Sequence, residues 1–195
     1  MSADDAPAIE LRPARADDAL CLSVLATQVF LDTYATEGIR PTIAREVLAG
    51  CAESAFLRAA DDAATSLVVA ERAGHLVGFA QVALGAAHDL APPGAPAELV
   101  RLYVQQPFAG RQLGTWLLRD AERRAAEAGA TVMWLTAWAH NERALRYYAR
   151  RGYVDRGATT YRFEDESHPN RLFARSLADY LPGSRYGAAA SSSMR

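Results

Sequence analysis

The run AELVRLYVQQPFAGRQLG, residues 97–114, has the spacing in this chain that points most directly to chemistry. Its apolar stretch over 98–104 reads as a strand, which breaks at Pro107, turns tightly at Ala109-Gly110-Arg111 and opens a long helix near Gly114. Such a junction aims several unpaired backbone N–H groups from a helix N-terminus at one place, where phosphate or another anion binds. Taken alone, the turn fits two readings, an ordinary strand-to-helix connection or a cradle for a pyrophosphate. A Rossmann dinucleotide site matches poorly, because the GxGxxG spacing is absent and no series of parallel βαβ units comes after it.

A second motif bears on that choice. Asn141-Glu142-Arg143-Ala144-Leu145-Arg146-Tyr147-Tyr148-Ala149-Arg150-Arg151-Gly152-Tyr153 resembles the N-x-x-A-x-x-[FY]-Y-x-x-x-G-[FY] signature of the Gcn5-related N-acetyltransferase (GNAT) superfamily. The 97–114 run, at the matching distance upstream, resembles that family's acetyl-CoA-binding motif. Within the family, WLTAWAHNERALRYYARRGY is most similar to bacterial enzymes that acetylate small amines or polyamines. The resemblance implies a role for each matching residue. Backbone groups of Leu102, Tyr103 and Val104 would pair with the pantetheine arm as a neighbouring strand would. Amides of Ala109, Gly110, Arg111, Gln112, Leu113 and Gly114, with the Thr115 hydroxyl, would hold the pyrophosphate. Asn141 would bond the pantetheine or the adjacent backbone, and Tyr148 would lie near the thioester sulfur and protonate the departing thiolate.

The family's cradle usually reads [QR]-x-x-G-x-[GA]. Here Ala109 stands where Gln or Arg is usual and Gln112 where the first glycine is, so only Gly114 matches a fixed position. Backbone amides do the binding in such a cradle, so these changes are tolerated if φ is negative at Gln112, the expected conformation for a residue with a Cβ. The Gln112 side chain then stands close to the pyrophosphate.

An amine that attacks a thioester must lose a proton, and the departing thiolate must gain one. A phenol, titrating near ~10, is close enough to a thiol to share that proton, which suits Tyr148 as the acid. Its neighbour Tyr147 sits on a different helical face, so one ring of the pair can fill the core while the other faces the reaction. Glu98 begins the central strand at the spacing from Gly114 seen in family members that use a glutamate there, and is the candidate base, acting directly or through water. The acceptor side would be built from the first two helices and the loop over 85–96, with Asp32, Tyr34, Glu37 and, near a strand end, Trp138 as candidate substrate-binding residues. Arg111 is a candidate contact for a coenzyme A phosphate. Arg143, Arg146 and Arg150 share a helical face that reads as solvated rather than as a nucleic-acid patch. His75, His88, His140 and His168 have no metal-ligand spacing, so no metal is expected.

These residues need elements to position them. Residues 9–12 alternate and stop at Pro13 as a short strand. Asp17 and Asp18 precede a helix with Leu20, Val24 and Leu31 at helical spacing and Leu25 and Val29 beside them. Thr42 is placed to cap a second helix with Val47 and Leu48 on its apolar side, and 53–60 adds a further turn or two. Residues 66–70 and 75–84 read as a hairpin around Arg72-Ala73-Gly74, followed by an exposed, mobile Ala-, Pro- and Gly-rich loop over 85–96. A helix over 113–128 buries Leu113, Leu117, Ala121, Ala125 and Ala128, a strand fills 131–138, and the helix of the second motif ends at Gly152. Strands over 153–163 and 171–177 close the chain. The order β-αα-βββ-α-β-α-ββ predicts a single-domain α/β fold, GNAT-like, with a mixed sheet and helices on both faces. The domain spans 9–181, between a disordered start (1–8) and a flexible tail (182–195).

Composition narrows the function classes. With 21 basic and 23 acidic residues the formal charge is −2, which gives no electrostatic case for a nucleic-acid partner. Every basic residue is Arg; the absence of Lys excludes a Schiff-base lysine and a Walker-type phosphate loop. Cys21 and Cys51 read as buried thiols of a reducing compartment. No apolar run has the length of a membrane span and MSADDAPA is acidic rather than a signal peptide, so a cytoplasmic protein without a membrane partner is expected. An exposed edge strand near 171–177 would allow a homodimer. The expected activity is acetyl transfer from acetyl-CoA to a small-molecule primary amine. The rivals are a non-catalytic acyl-CoA sensor module, to which the altered cradle points, and acetylation of a protein N-terminus or lysine.

Overall fold

A computed structural model describes residues 8–163 and 166–181. The tail from 182 and, Ala8 apart, the start expected to be disordered lie outside the described residues. Seven strands, β1 (Ile9–Pro13), β2 (Thr65–Arg72), β3 (His75–Leu84), β4 (Pro96–Val104), β5 (Val132–Trp138), β6 (Val154–Phe163) and β7 (Glu166–Ser176), form one mixed sheet in the order β1-β2-β3-β4-β5-β7-β6. Helices α1 (Ala19–Tyr34), α2 (Pro41–Gly50), α3 (Glu53–Asp61), α4 (Leu113–Glu127) and α5 (Glu142–Ala149) flank it. The α/β class and element order are as expected, and the extra turns at 53–60 form a separate helix, α3.

One expectation about the sheet is overturned. The strand placed at 171–177 is not an edge: β7 starts earlier and lies between β5 and β6, pairing antiparallel with both, so β6 is the edge. The whole of β5 is in register with β7, from Val132 opposite Ser176 to Trp138 opposite Asn170. Chain order gives no hint of such a return.

The chain divides into two compact units. One comprises residues up to Gln81 with Arg101–Ala121; the other comprises Val82–Val100 and residues from Glu122 onward.

In the first unit, the core gathers Leu22, Leu25 and Ala26 of α1 with Phe56 of α3, Val69 of β2 and Phe79 of β3. Phe79 lies edge-on to Phe56, with ring centroids 5.6 Å apart, and to Tyr103 at 5.4 Å. The stripe expected on α1 is met only in part: Leu25 is buried and Val29 packs on the core, but Leu20 is 59% and Val24 64% exposed, while Ala19, Leu22 and Ala26 are buried. Apolar residues surround this helix, so two stripes satisfy helical spacing, and the small-residue one packs closest. On α2, Ile43 and Val47 are buried but Leu48 is 75% exposed. Pro41 opens that helix, with Arg40 rather than Thr42 at the capping position. Cys51 is buried and Cys21 exposed, so only one of the two thiols is in the core; both are free.

Arg12 of β1 fastens this unit. Its guanidinium donates to Asp18 at 2.7 and 2.8 Å and to Glu71 of β2 at 2.8 Å. The Arg12 bonds, aided by the Arg15 amide and opposed by burial, hold the Asp18 carboxyl below its usual range. The β2–β3 hairpin turns at Ala73 (φ 50°) and Gly74 (φ 79°), both left-handed, as a two-residue turn matching the strand twist requires.

In the second unit the 85–96 loop, expected to be exposed and mobile, is docked. Ala86, Leu90 and Ala91 pack on Val132, Trp134, Leu172 and Ala174. The Trp134 indole donates to the Ala86 carbonyl at 2.8 Å, and the Ala95 amide and Thr131 hydroxyl bond at 2.9 Å. Alanine and proline read as loop residues from sequence, but here they are small enough to cover an aromatic strand.

Asp18→Asn should destabilise the chain by about 2 kcal/mol near neutral pH, since it leaves Arg12 short of a charged partner in a partly buried place. Because the folded-state carboxyl titrates below its unfolded value, that contribution is complete above the ordinary carboxylate range. The gap to wild type in urea melts should therefore shrink as pH falls below about 4. Ala73→Asn should add about 0.5–1 kcal/mol by relieving a left-handed alanine, read as a rise of about 1–4 °C in Tm.

Candidate functional site

The turn between β4 and α4 is built differently from the sequence expectation. Gln112 is left-handed, with φ 64°, rather than negative, and Gly110 is left-handed too, with φ 78°. A Cβ on Gly110 would meet nothing within 4 Å, so backbone conformation and not crowding selects glycine there. The reason for the conformation at Gln112 lies in α4. Its carbonyl accepts from the amides of Thr115 (2.8 Å) and Trp116 (3.0 Å), placing it at the capping position. The amides of Gly110, Arg111, Gln112, Leu113 and Gly114 make no backbone hydrogen bond among the described residues, whereas that of Ala109 donates to Gln106. Five consecutive amides of the expected cradle are thus available to an anion, in the nest-like backbone that binds one. Arg111 and Gln112 are exposed, while Leu113 and Thr115 are buried in the first turn of α4.

Upstream, β4 pairs in parallel with β5 only from Pro96 opposite Val132 to Glu98 opposite Trp134. The ladder ends at Glu98, and β4 runs on to Val104 with no further β5 partner in register. Leu102, Tyr103 and Val104, the expected strand-like binding groups, lie on this continuation and are half-buried. Glu98, the candidate base, is half-buried at the point where the strands part.

In the second unit, Asn141 caps α5: its Oδ1 accepts from the Ala144 amide at 3.1 Å. The side chain thus bonds the adjacent backbone, one of the two roles expected of it. Tyr148, half-buried, sits among three rings, with centroids 5.2 Å from Tyr147, 5.7 Å from Tyr153 and 6.5 Å from Phe173. Trp138 lies edge-on to His140 at 5.2 Å. Arg143, Arg146 and Arg150 are exposed, as a solvated face should be, with Arg146 paired to Glu142 at 2.8 Å. In the first unit, Asp32 and Glu37 are exposed at the end of α1 and Tyr34 stacks obliquely on Phe30 at 4.7 Å. Among the described residues no group of three or more His, Cys, Asp or Glu could hold a metal, and no helix is long and apolar enough to cross a membrane.

The sequence reading missed a buried polar cluster around Glu122. This α4 carboxylate is fully buried and accepts from the hydroxyls of Tyr153 (2.9 Å) and Tyr180 (2.6 Å), with Arg175 Nη1 at 3.3 Å from both oxygens. Arg175 also bonds Asp179 and the Arg151 carbonyl. Burial and then the Glu122 charge push the Tyr153 phenol well above its ordinary range. One signal was present: Glu122 falls between Leu118, Ala121, Ala125 and Ala126, inside the apolar stripe of an otherwise amphipathic helix.

The sequence profile of the Acetyltransferase (GNAT) family matches residues 33–153. The chain belongs to that family. An uncharacterized N-acetyltransferase of Mycobacterium tuberculosis is 27% identical over 135 residues, 69% of this chain and 82% of that protein. Another, from Lactobacillus delbrueckii subsp. lactis, is 32% identical over 80 residues, 41% of this chain and 46% of its relative. The crystal structure of PaiA N-acetyltransferase from Thermoplasma acidophilum in complex with coenzyme A has the same fold, with a TM-score of 0.65 and 18% identity over 84% of this chain and 98% of that one. The GNAT profile covers both the cradle and the Asn141–Tyr153 motif.

The left-handed Gln112 generates a prediction. Gln112→Gly removes a residue that costs about 1 kcal/mol in this conformation, so it should raise Tm by about 2–4 °C in thermal melts. An unchanged or lower Tm would mean that the Gln112 side chain makes a compensating contact.

Proposed function

We propose that this GNAT-family chain transfers an acetyl group from acetyl-CoA to a primary amine by direct attack in a ternary complex, with small amines or polyamines as the favoured acceptors. The observation that carries the reading is the continuous stretch from the end of the β4–β5 ladder to the open amides ahead of α4. It offers strand-like hydrogen-bonding groups and then an anion cradle, the order of groups that a pantetheine arm and a pyrophosphate require. Leu102, Tyr103 and Val104 would hold the arm through their backbone. The amides from Ala109 to Gly114, with the buried Thr115 hydroxyl, would hold the pyrophosphate; the Ala109 amide is the one that already has a backbone acceptor. Coenzyme A bound to the Thermoplasma acidophilum relative supports the same ligand here.

Chemistry then needs two proton transfers. Glu98 takes the proton that the amine loses as its nitrogen attacks the thioester carbonyl, and Tyr148 gives its proton to the sulfur as the C–S bond breaks. The products are an amide and free coenzyme A. Asp32, Tyr34, Glu37 and Trp138 are the acceptor-side candidates; the two carboxylates would favour a cationic amine over a neutral one. A soluble cytoplasmic setting suits such an acceptor.

One observation favours a second reading, a non-catalytic acyl-CoA-binding module: a strained glutamine stands in the cradle where the family has glycine. Turnover decides between them. Protein, acetyl-CoA and a panel of small amines, polyamines and peptides should release free thiol with at least one acceptor. Binding of acetyl-CoA by calorimetry with no product from any amine would establish the sensor reading, and absence of both would end the acyl-CoA assignment.

Two variants refine the test. Tyr148→Phe should lower kcat by about 10²-fold or more while the acetyl-CoA Kd stays within error, because a general acid acts in the transition state and not in cofactor binding. In Gln112→Gly, acetyl-CoA affinity should hold or rise, since the amides do the binding; a large fall would give the side chain a part in it.

A further inference from the structure

A general acid must present its proton at one position in every turnover, so whatever fixes the Tyr148 ring bears on the rate. Of the three rings around Tyr148, Tyr153 and Phe173 are buried. Tyr153 is anchored at both ends. Its amide donates to the Tyr148 carbonyl at 3.2 Å, and its hydroxyl donates to Glu122 Oε1 at 2.9 Å. Between those anchors its ring meets the Tyr148 ring at 66°, an edge-to-face contact that sets an orientation as well as a distance. Glu122 is fixed in its turn: Oε2 accepts from Tyr180 at 2.6 Å and Arg175 Nη1 spans both oxygens at 3.3 Å. Arg175 is held by Asp179 at 3.0 Å and by the Arg151 carbonyl at 3.1 Å.

We infer that Glu122 and Tyr153 are positioning residues for Tyr148. The buried α4 carboxylate pins the Tyr153 hydroxyl, and the pinned ring forms the wall against which the Tyr148 ring is set. The inference rests on the reading of Tyr148 as the acid. Tyr153 does not supply the proton itself: it is buried, its hydroxyl is committed to a carboxylate, and its phenol is pushed well above the ordinary range by burial and by Glu122. Tyr148, half-buried, is the ring of this pair with a solvent-reachable surface.

A double-mutant cycle separates positioning from general support. Tyr153→Phe keeps the ring and removes the anchor. It should lower kcat about tenfold, with the KM for acetyl-CoA unchanged, as a modest misplacement of an acid does. Added to Tyr148→Phe, the same change should cost no further activity, because no acid is left to misplace. Tyr180→Phe removes the other phenolic donor from Glu122 while leaving the Tyr153 bond in place, so it should lower Tm and cost less kcat than Tyr153→Phe does. A Tyr153→Phe loss that persists undiminished in the Tyr148→Phe background, or a larger loss in Tyr180→Phe than in Tyr153→Phe, overturns the inference. Should Tyr153→Phe not fold, Glu122→Gln, which keeps the side-chain volume, is taken through the same cycle with the same criteria. The underlying reading is judged separately by Tyr148→Phe alone: an unchanged kcat there removes Tyr148 as the acid and the inference with it.

Discussion

Backbone N–H and C=O groups that leave a ladder must find new partners or remain open to water or ligand. In this chain that demand is concentrated on one continuous stretch. The β4–β5 ladder ends at Glu98, the strand continues to Val104, and five successive amides from Gly110 to Gly114 make no backbone bond among the described residues. Elsewhere β5 spends its full length on β7, and β7 is also paired along β6. The open amides are therefore a local property of the turn ahead of α4. They explain why such a stretch can bind an extended, phosphate-bearing ligand without a dedicated set of side chains. They also explain why the side chains of the cradle can depart from the family pattern while the fold persists.

Glu122 imposes a different kind of constraint. Taking a carboxylate out of water costs several kcal/mol, and an apolar replacement of the same volume often leaves stability no worse. The two phenols and the guanidinium that converge on it offset the desolvation, so its net contribution to stability is small. What it specifies is direction. Tyr153, Tyr180 and Arg175 come from three separate parts of the second unit, and each is oriented by the same two oxygens. An apolar side chain at 122 would fill the volume without fixing where any of those groups points.

Local signals read well from sequence, and nonlocal ones did not. The β2–β3 hairpin was legible because Ala73-Gly74 falls between two alternating runs, and β3 occupies His75–Leu84 as expected. The bond from Asn141 to the adjacent backbone was legible because it depends on a few adjacent residues, whereas the left-handed Gln112 was not. The buried face of α1 was misjudged because Leu20, Val24 and Leu31 satisfy helical spacing as well as Ala19, Leu22 and Ala26 do; only the tertiary neighbours Phe56 and Phe79 decide between them. The place of β7 inside the sheet depends on its pairing with β5, which is far away in sequence. The Glu122 cluster joins residues 31 to 58 positions apart, so its only trace in the sequence is a charge on an apolar stripe.

Gln112 shows how the two levels meet. From sequence it is a departure from glycine that is tolerated if φ is negative. The structure instead gives Gln112 a left-handed backbone, at a cost of about 1 kcal/mol. The helix behind it sustains that conformation: the Gln112 carbonyl accepts from Thr115 and Trp116, and Leu113, Leu117, Leu118 and Ala121 bury the first turns of α4. Burying three leucines, at roughly 1.5–3 kcal/mol each, outweighs the strain of one residue. The helix therefore dictates the cradle's geometry more strongly than the residue at 112 can resist it. Amide direction, the feature that matters to an anion, is set by α4 packing, and the identity of residue 112 is left to tune stability and access.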